Sequence, residues 1–156
     1  MGTAEHTALV RRFYEEVWNR GNVDVAADVF AEAYVRHDLR PTPAAPGPAG
    51  QAAIARDFRA GFPDLRMRVD LTLAEGDLVA ARWTTEGTNT GAWAGREPTG
   101  THAVFSGVNI FRFADGKVVE LWNHRDDLGL MQQLGAEIFA GASPADDTPA
   151  SGSEGR

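Results

Sequence analysis

The chain has 156 residues, of which 43% are apolar, and carries a formal charge of −7 at pH 7. This length suits one domain with a sizeable core, and no apolar run approaches the roughly 20 residues that a membrane span needs. The basic residues are scattered, which argues against nucleic-acid binding by phosphate neutralisation and favours an uncharged or weakly charged partner. The absence of cysteine excludes disulfides, thiolate metal sites and a cysteine nucleophile. The N-terminus lacks the features of an export signal, so we expect a cytoplasmic protein without a membrane span.

Helical periodicity dominates the N-terminal half of the sequence. Apolar residues at helical spacing predict three helices, over residues 5–20, 23–32 and 50–61. Between the second and third helices, "YVRHDL" is typical of a brief extended segment. The following "RPTPAAPGPAG" contains four prolines and is predicted to be a loop, because proline is excluded from the interior of helices and sheets.

From Leu65 onward, apolar and polar residues alternate as on strands with one buried face. Four strands are predicted: "LRMRVDLTL", "DLVAARWTTEG", "THAVFSGVNIFRF" and "KVVELWNHRD". Their links are short except for a Gly-rich loop over 87–100, so we expect an antiparallel meander across 65–126. "LGLMQQLGAEIFA" predicts a closing helix, and helices followed by antiparallel strands indicate an α+β fold. The last residues are polar and rich in Gly, Ser and Pro, which predicts one domain over 1–141 and a disordered tail over 142–156.

Several common kinds of catalytic site have no motif in this sequence. Phosphate-cradling loops, zinc-binding spacings such as HExxH and nucleophile elbows are all missing. We therefore expect neither a cofactor nor a bound metal. The remaining chemistry is acid/base catalysis by a few histidines and acids, in an apolar pocket enclosed by a curved sheet and its covering helices.

The order and spacing of four segments resemble the SnoaL-like polyketide cyclases over about residues 8 to 140. The segments are "GFPDLRMRV", "EGDLVAARWTTEGTNTGAWAG", "REPTG" and "FRFADGKVVELWNHRDDLGLMQQLG". This family belongs to a superfamily that includes ketosteroid isomerase and nuclear transport factor. The resemblance implies a cone-shaped, curved antiparallel sheet wrapped by N-terminal helices around an apolar cavity. It also implies cofactor-free aldol chemistry that closes a ring of a polyketide, and association into a homodimer or homotetramer through the outer face of the sheet.

The resemblance implies that Asp126, four residues after Trp122 and just before "LGLMQQLG", is the general acid/base. The alternative is that Asp126 caps the last helix, a common position for aspartate that contributes about 1 kcal/mol. The adjacent Asp127 is able to cap instead. Our hypothesis is that Asp127 caps the helix and Asp126 projects into the cone.

Two further catalytic candidates are His37 and Asn109. The resemblance places His37 near the position of a catalytic acid in the related isomerases, with Asp38 able to orient it, although a lone histidine is often structural. It places Asn109 where an enolate oxygen is stabilised, although asparagine there departs from the related enzymes and equally suits a role in satisfying backbone groups. If Asp115 and Gly116 form a two-residue hairpin loop, Asn109 and Asp126 share one face of the sheet.

Aromatic residues supply the remaining candidates, which would line either a solid core or the wall of a substrate cavity. The predicted substrate-binding residues are Tyr14, Trp18, Phe58, Phe62, Trp83, Trp93, Phe105, Trp122 and His124. Trp93 lies in the Gly-rich loop and is able to cover the mouth of the cone, or it is an exposed turn residue. The direction of His124 is left open by its position near a strand end, and His102 is expected near the rim or exposed.

These observations predict a cofactor-independent polyketide cyclase that acts on an apolar small molecule by acid/base chemistry. Two alternatives remain open. One is a different reaction in the same pocket, such as isomerisation, dehydration or a ring closure guided by shape. The other is a binding module without catalysis.

Overall fold

Five strands form the sheet of this protein in a computed structural model that describes residues 1–38 and 45–137. In chain order they are β1 Phe30–His37, β2 Arg66–Glu75, β3 Leu78–Thr88, β4 His102–Ala114 and β5 Lys117–Arg125. They assemble into one curved, unclosed sheet in the order β1-β5-β4-β3-β2. Strands β2 to β5 are an antiparallel meander, as predicted, whereas β1 pairs in parallel with β5 at the edge. The sheet is therefore mixed rather than wholly antiparallel, within the predicted α+β class.

Helices cover the inner face of this sheet. They are α1 Thr3–Arg12, α2 Ala26–Val29, α3 Gly47–Gly61 and α4 Asp127–Gln133. A π-helical segment, Phe13–Asn19, continues α1, and a short 3₁₀ turn, Val23–Val25, precedes α2. The predicted first helix is thus confirmed, but its second half is π-helical. In this wider turn the pairs Phe13–Tyr14 and Val17–Trp18 are all buried, so two adjacent residues point inward at each turn.

The predicted second helix over 23–32 is too long. It ends at Val29, because Phe30 begins strand β1 and pairs with Val118 on β5. The partner strand lies far away in the sequence, so this tertiary pairing overrides the local helical pattern.

The predicted loop over 40–50 is wrong at its end. Pro48 lies in the first turn of α3, where the missing proline N–H removes no helical hydrogen bond. The third helix consequently starts at Gly47 rather than near residue 50. Residues 40–44 of that predicted loop lie outside the described residues.

The closing helix is shorter than predicted and ends at Gln133. Gly135 adopts a left-handed conformation with a φ of +81°, and the Ala136 amide donates to the Met131 carbonyl oxygen at 2.9 Å. This pattern is a Schellman motif, which satisfies the last carbonyl groups and stops the helix. The end of the predicted helix beyond residue 137 and the predicted tail over 142–156 lie outside the described residues.

A β-bulge in β5 changes the predicted pairing of the last two strands. The two-residue turn of Asp115 and Gly116 is confirmed, since Ala114 pairs with Lys117. Phe113 then pairs with Val118 but Arg112 pairs with Glu120, so Val119 is an extra residue on β5. Because side chains alternate between faces, this insertion exchanges the two faces of the remaining strand.

After the bulge, Asn109 pairs with Asn123 rather than with Trp122. The inner face of β5 therefore carries Leu121, Asn123 and Arg125, and the outer face carries Glu120, Trp122 and His124. The prediction that Asn109 and Asp126 share a face through this pairing is wrong.

The core lies between the inner face of the sheet and the helices. Its largest fully buried apolar side chains include Phe13, Phe30, Phe62 and Phe111. Phe111 lies at the centre, with its ring centroid 6.1 to 6.4 Å from those of Phe13, Tyr14 and Phe30. Among the described residues, no helix has the length and apolar character needed to cross a membrane.

Candidate functional site

An inner cavity remains between the sheet, the π-helical segment and α3. Six aromatic side chains contribute to its wall: Phe13, Tyr14, Trp18, Phe58, Trp83 and Phe105. Five of these six were predicted as substrate-binding residues. The cavity volume is about 20 Å³, which is room for about one water molecule. Any larger ligand must displace part of the wall.

Five polar side chains also line the inner cavity. They are Arg36 on β1, Gln51 on α3, Asn109 on β4, and Asn123 and Arg125 on β5. Two of them are cationic, and no Asp or Glu is among the described residues that line this cavity. The cavity wall therefore presents guanidinium and amide donors, and each guanidinium is ion-paired with an aspartate, Asp38 or Asp127, that is not among the described residues of this wall.

Three buried donors of the wall lack a hydrogen-bond partner among the described residues: the Tyr14 hydroxyl, Trp18 Nε1 and Gln51 Nε2. A buried polar group without a partner costs about 1–3 kcal/mol in protein mutational data. Burial raises the pKa of Tyr14 well above its ordinary value, against smaller lowering effects of the nearby Asn109 amide and the Arg36 charge. The Tyr14 hydroxyl thus stays neutral and able to donate.

The Asn109 side chain is held firmly within this wall. Its Oδ1 accepts from Asn123 Nδ2 at 2.6 Å and from Trp83 Nε1 at 3.3 Å. The residue is only 6% exposed. These two bonds fix the orientation of the amide and leave its NH₂ group as the donor that is able to meet a ligand.

A larger outer cleft adjoins the inner cavity. It has a volume of about 680 Å³ and shares three wall residues with the inner cavity, Ile54, Phe58 and Arg125. Trp93 from the Gly-rich loop and Asp127 from the start of α4 also line this cleft. A pocket of this size is in the range that holds drug-sized ligands.

Arg125 separates the inner cavity from the outer cleft. Its guanidinium carbon lies 4.6 Å from the centre of the Phe58 ring, and its Nε donates to Oδ1 of Asp127. The side chain is 8% exposed, so it is a buried cation with an aromatic and an anionic neighbour. Movement of Arg125 and Phe58 would join the two spaces.

Asp126 is the N-cap of α4, contrary to our hypothesis that Asp127 caps. Its Oδ1 accepts from the Gly129 amide at 2.8 Å, and the residue is exposed. The carboxylate approaches so closely that a Cβ at Gly129 would lie 2.2 Å from Oδ2 of Asp126. Asp127, unlike Asp126, lines the outer cleft, as does Asp57 on α3. The predicted geometry of the two acids is wrong, and the predicted catalytic role of Asp126 stays a prediction.

The other predicted residues divide between the cleft, the core and the outer face. Trp93 is half-buried, packs 5.0 Å from Phe58 between ring centres, and covers the buried Phe62. His37 is exposed on the outer face, stacks 4.9 Å from Trp122 and contacts Oε2 of Glu120 at 2.9 Å. Within the described chain, His37 is therefore not brought to the inner cavity that Asn109 lines.

Two histidines on the later strands are both exposed. His124 follows Trp122 on the outer face of β5. His102 contacts Glu86 at 3.2 Å, in agreement with its expected position near the rim or exposed.

The sequence interpretation missed the two arginines and both amides, Gln51 and Asn123, of the inner cavity. One signal was present, because "RHD" at Arg36 and "RDD" at Arg125 repeat an R-x-D pattern at the ends of two strands. Strands β1 and β5 are parallel neighbours, so their carboxyl ends lie at one edge of the sheet. In each motif the arginine Nε donates to the aspartate two residues later.

In the part of the chain that the structure describes, no group of three or more His, Cys, Asp or Glu residues is placed to hold a metal ion. The residues that could hold a small molecule are therefore the aromatic, amide and guanidinium groups described above.

Comparison with known proteins places this geometry in a family. The sequence profile of the SnoaL-like polyketide cyclases matches residues 8–134. No curated protein is similar enough in sequence to match significantly.

Solved structures agree with the family match. TsrD from Streptomyces laurentii is 27% identical, with a TM-score of 0.79 over 88% of this chain and 99% of that one. AclR from Streptomyces galilaeus, described as a candidate hydroxylase, is 30% identical, with a TM-score of 0.76 over 86% and 83% of the two chains. IdmH from Streptomyces antibioticus, described as a candidate polyketide cyclase, is 28% identical, with a TM-score of 0.70 over 84% and 99%.

Proposed function

The chain belongs to the SnoaL-like polyketide cyclase family, and we propose that it closes a ring on a polyketide-derived small molecule by cofactor-independent acid/base chemistry. The observation that carries this proposal is the ring of inward-facing donors around the inner cavity, next to a carboxylate in the adjoining cleft. Donors of this kind stabilise negative charge that develops on a carbonyl oxygen when the adjacent carbon loses a proton.

Asp127 is the acid/base in this proposal. Its carboxylate removes a proton from a carbon beside a carbonyl group of the substrate, and the resulting enolate carbon attacks a second carbonyl carbon of the same molecule. A new carbon–carbon bond forms, and the second carbonyl oxygen becomes an alkoxide. That alkoxide takes the proton back from Asp127, so the step consumes no other reactant. We favour Asp127 over Asp126 because Asp127 lines the cleft, whereas Asp126 is engaged as the helix cap.

Tyr14 and Asn109 stabilise the enolate in this proposal. The Tyr14 hydroxyl is buried, without a partner among the described residues, and neutral. The Asn109 amide is held in one orientation by Asn123 and Trp83. Two preorganised donors in a narrow, largely apolar space stabilise a developing oxyanion more than bulk water would, because they need not reorganise during the reaction.

The aromatic wall supplies binding and shape. Trp18, Phe58, Trp83 and Phe105 line the inner cavity, and Trp93 with Phe58 lines the outer cleft. A flexible chain of ketone groups folded against these rings would be held near the geometry of ring closure, which removes part of the entropic barrier. Phe62, Trp122 and His124 act at most indirectly in this arrangement.

A second candidate function is hydroxylation, favoured by the 30% identity with AclR. In that case the same donors would stabilise a substrate carbanion, which takes up dioxygen and a proton to form a hydroperoxide. An external two-electron reductant such as a thiol would then convert the hydroperoxide to the alcohol and water. Oxygen consumption measured with an electrode in the presence of substrate separates hydroxylation from ring closure, which consumes none.

Proton abstraction itself gives the most direct test. β-Tetralone, a bicyclic ketone, is incubated with the protein in deuterium oxide, and loss of its α-proton signal is followed by proton NMR. We expect the parent to exchange these protons faster than buffer alone. The Asp127→Asn variant should lose about a hundredfold or more of that rate, as removal of a general base does.

Asp126→Asn is the matched control, since asparagine caps a helix about as well as aspartate. It should retain the parent exchange rate. If Asp126→Asn loses the activity and Asp127→Asn keeps it, the acid/base is Asp126, as the family resemblance implied. If the parent exchanges no faster than buffer, the proposed acid/base function is contradicted and a binding module is favoured.

A further inference from the structure

We propose that the substrate carries a free carboxylate, which binds in the inner cavity at the guanidinium groups of Arg36 and Arg125 while its ring system lies in the outer cleft. This inference rests on the proposed function, since it names the substrate class of the same site.

The two guanidinium groups in the wall of the inner cavity are the first support. Arg36 and Arg125 both line it, whereas their partners Asp38 and Asp127 are not among its described lining residues. The Arg36 and Asp38 side chains are each only 10% exposed. Arginine presents a planar fork of donors that matches the two oxygens of a carboxylate, and such pairs are among the stronger hydrogen bonds in proteins.

The uncharged donors are the second and independent support. Trp18 Nε1 and Gln51 Nε2 are buried without partners in the described structure, and these two residues are 9% and 1% exposed. A buried donor is normally satisfied by protein, water or ligand. A ligand with several acceptor oxygens in one small group would satisfy these donors together with the arginines.

The sizes of the two spaces favour this orientation of the ligand. The inner cavity, at about 20 Å³, admits only a small group without large movement of its wall, whereas the outer cleft, at about 680 Å³, is large enough for a ring system. Ile54, Trp93 and Met131 give that cleft an apolar surface. A molecule with a carboxylate attached to an aromatic or partly cyclised ring system fits both spaces, with the carboxylate in the inner cavity and the rings in the outer cleft.

Binding of two matched ligands to the full-length chain tests the proposal without any substitution. β-Naphthoate and its methyl ester share one ring system and differ in the charge of the end group. By isothermal titration calorimetry, we expect the carboxylate to bind at least tenfold more tightly than the ester, with a preference that declines as salt is added. Equal affinities, tighter binding of the ester, or no measurable binding of the carboxylate would overturn the proposal.

Substitution of the arginines then locates the site. Arg36→Gln and Arg125→Gln should each weaken β-naphthoate binding by about tenfold or more and change ester binding little. Arg36→Lys should fall between the parent and Arg36→Gln, because lysine keeps the charge but not the fork. Melting temperatures show whether each variant is folded, and the two-ligand comparison on the parent decides the proposal if one is not.

Arg82→Gln is the control for a general effect of charge. Arg82 also pairs with an aspartate, Asp70, but its side chain is 47% exposed on the outer face of the sheet. It should bind β-naphthoate as the parent does. If Arg82→Gln weakens binding as much as the cavity variants do, the carboxylate is attracted to the surface and the inference is wrong.

Failure of this inference is distinguishable from failure of the proposed function. β-Tetralone is neutral, so its proton exchange does not require carboxylate recognition. If the protein exchanges the protons of β-tetralone but does not prefer β-naphthoate over its methyl ester, the acid/base function is supported and the carboxylate inference is wrong. If the protein prefers β-naphthoate but does not exchange the protons of β-tetralone, the carboxylate inference is supported and the acid/base function is contradicted.

Discussion

The two faces of strands β4 and β5 carry similar polar residues in different surroundings. On the outer face, Arg112 contacts Glu120 at 3.2 Å with both side chains more than a third exposed. On the inner face, Asn109, Asn123 and Arg125 are enclosed among aromatic rings. Exposed ion pairs contribute about 0–1 kcal/mol, whereas enclosed polar groups must be matched in geometry and charge. Residue type alone therefore does not locate the site, because neighbouring positions on one strand face opposite sides of the sheet.

The extra residue at Val119 decides which side chains of β5 reach the cavity. Without the bulge, the strand would turn Trp122 inward and Asn123 outward. With it, Asn123 bonds to Asn109, and Trp122 stacks on His37 outside. One inserted residue therefore sets the chemistry of the site.

The largest effect that separates the two faces should come from shortening their apolar side chains. Phe111→Ala on the inner face should lower the free energy of unfolding by about 3–5 kcal/mol, because Phe111 is fully buried against three aromatic rings. Leu73→Ala should change it by less than about 0.5 kcal/mol, because Leu73 is 69% exposed. Urea unfolding followed by circular dichroism measures both. Similar losses in the two variants would mean that another copy of the chain or a partner covers the outer face.

Tyr14→Phe on the inner face should affect activity without lowering stability. The variant removes one buried hydroxyl that has no partner in the described structure, so its melting temperature should be unchanged or slightly higher. Proton exchange of β-tetralone should fall by about tenfold or more, because one enolate donor is lost.

Tyr34→Phe is the matched control for that experiment. The Tyr34 hydroxyl is also buried without a partner in the described structure, but Tyr34 is not among the described residues of the inner cavity. Its exchange rate should equal that of the parent. Equal loss in the two variants would assign the effect to packing rather than to enolate stabilisation.

Asp126 gives a smaller effect that concerns the start of α4. Asp126→Ala should cost about 1 kcal/mol of stability, because the Gly129 amide loses its acceptor. Asp126→Asn should cost almost nothing, because asparagine accepts the same bond. Thermal unfolding measures both variants. A large loss in Asp126→Asn would show that the negative charge, rather than the cap, is what the helix requires.

Much of the fold follows from local pattern in the sequence. The helices, the meander and the Asp115–Gly116 turn were predictable because periodicity and turn residues act over a few positions. The parallel pairing of β1 was not, since it joins Val35 to Glu120 across the chain. The bulge at Val119 has no marker among the neighbouring residues, so the inner and outer faces beyond it were predicted in reverse.

The site was predictable in its aromatic wall and in Asn109, but not in its charge. Large aromatic residues on amphipathic elements face inward by default, which is why Tyr14, Trp18 and Phe105 were found. Arg36 and Arg125 resemble surface charges at strand ends, and the overall charge of −7 favoured an uncharged partner. Burial of these arginines depends on the parallel edge and the bulge together, and neither is visible in the sequence.

The smallest expected effect concerns Asp64, an exposed acid where polar contacts should contribute little. Its Oδ1 accepts from the Thr88 amide at 2.7 Å and its Oδ2 from the Thr88 hydroxyl at 2.8 Å. These bonds lower the pKa of Asp64 below its ordinary value. A lowered pKa in the folded state means that the charged form adds stability above the unfolded pKa of about 4, and that this stability is lost as the pH falls through the folded pKa.

Asp64→Asn should therefore be less stable than the parent by under about 1 kcal/mol near neutral pH, because exposed contacts are screened by solvent. The difference should stay constant from pH 7 to about pH 5 and shrink below about pH 4, where the parent carboxylate becomes protonated as well. Urea unfolding of both proteins across this range measures it. A difference in stability that grows on acidification would mean that Asp64 stabilises the fold in its protonated form. A loss as large as that of Phe111→Ala would mean that exposed polar contacts of this protein contribute as much to stability as its buried side chains do.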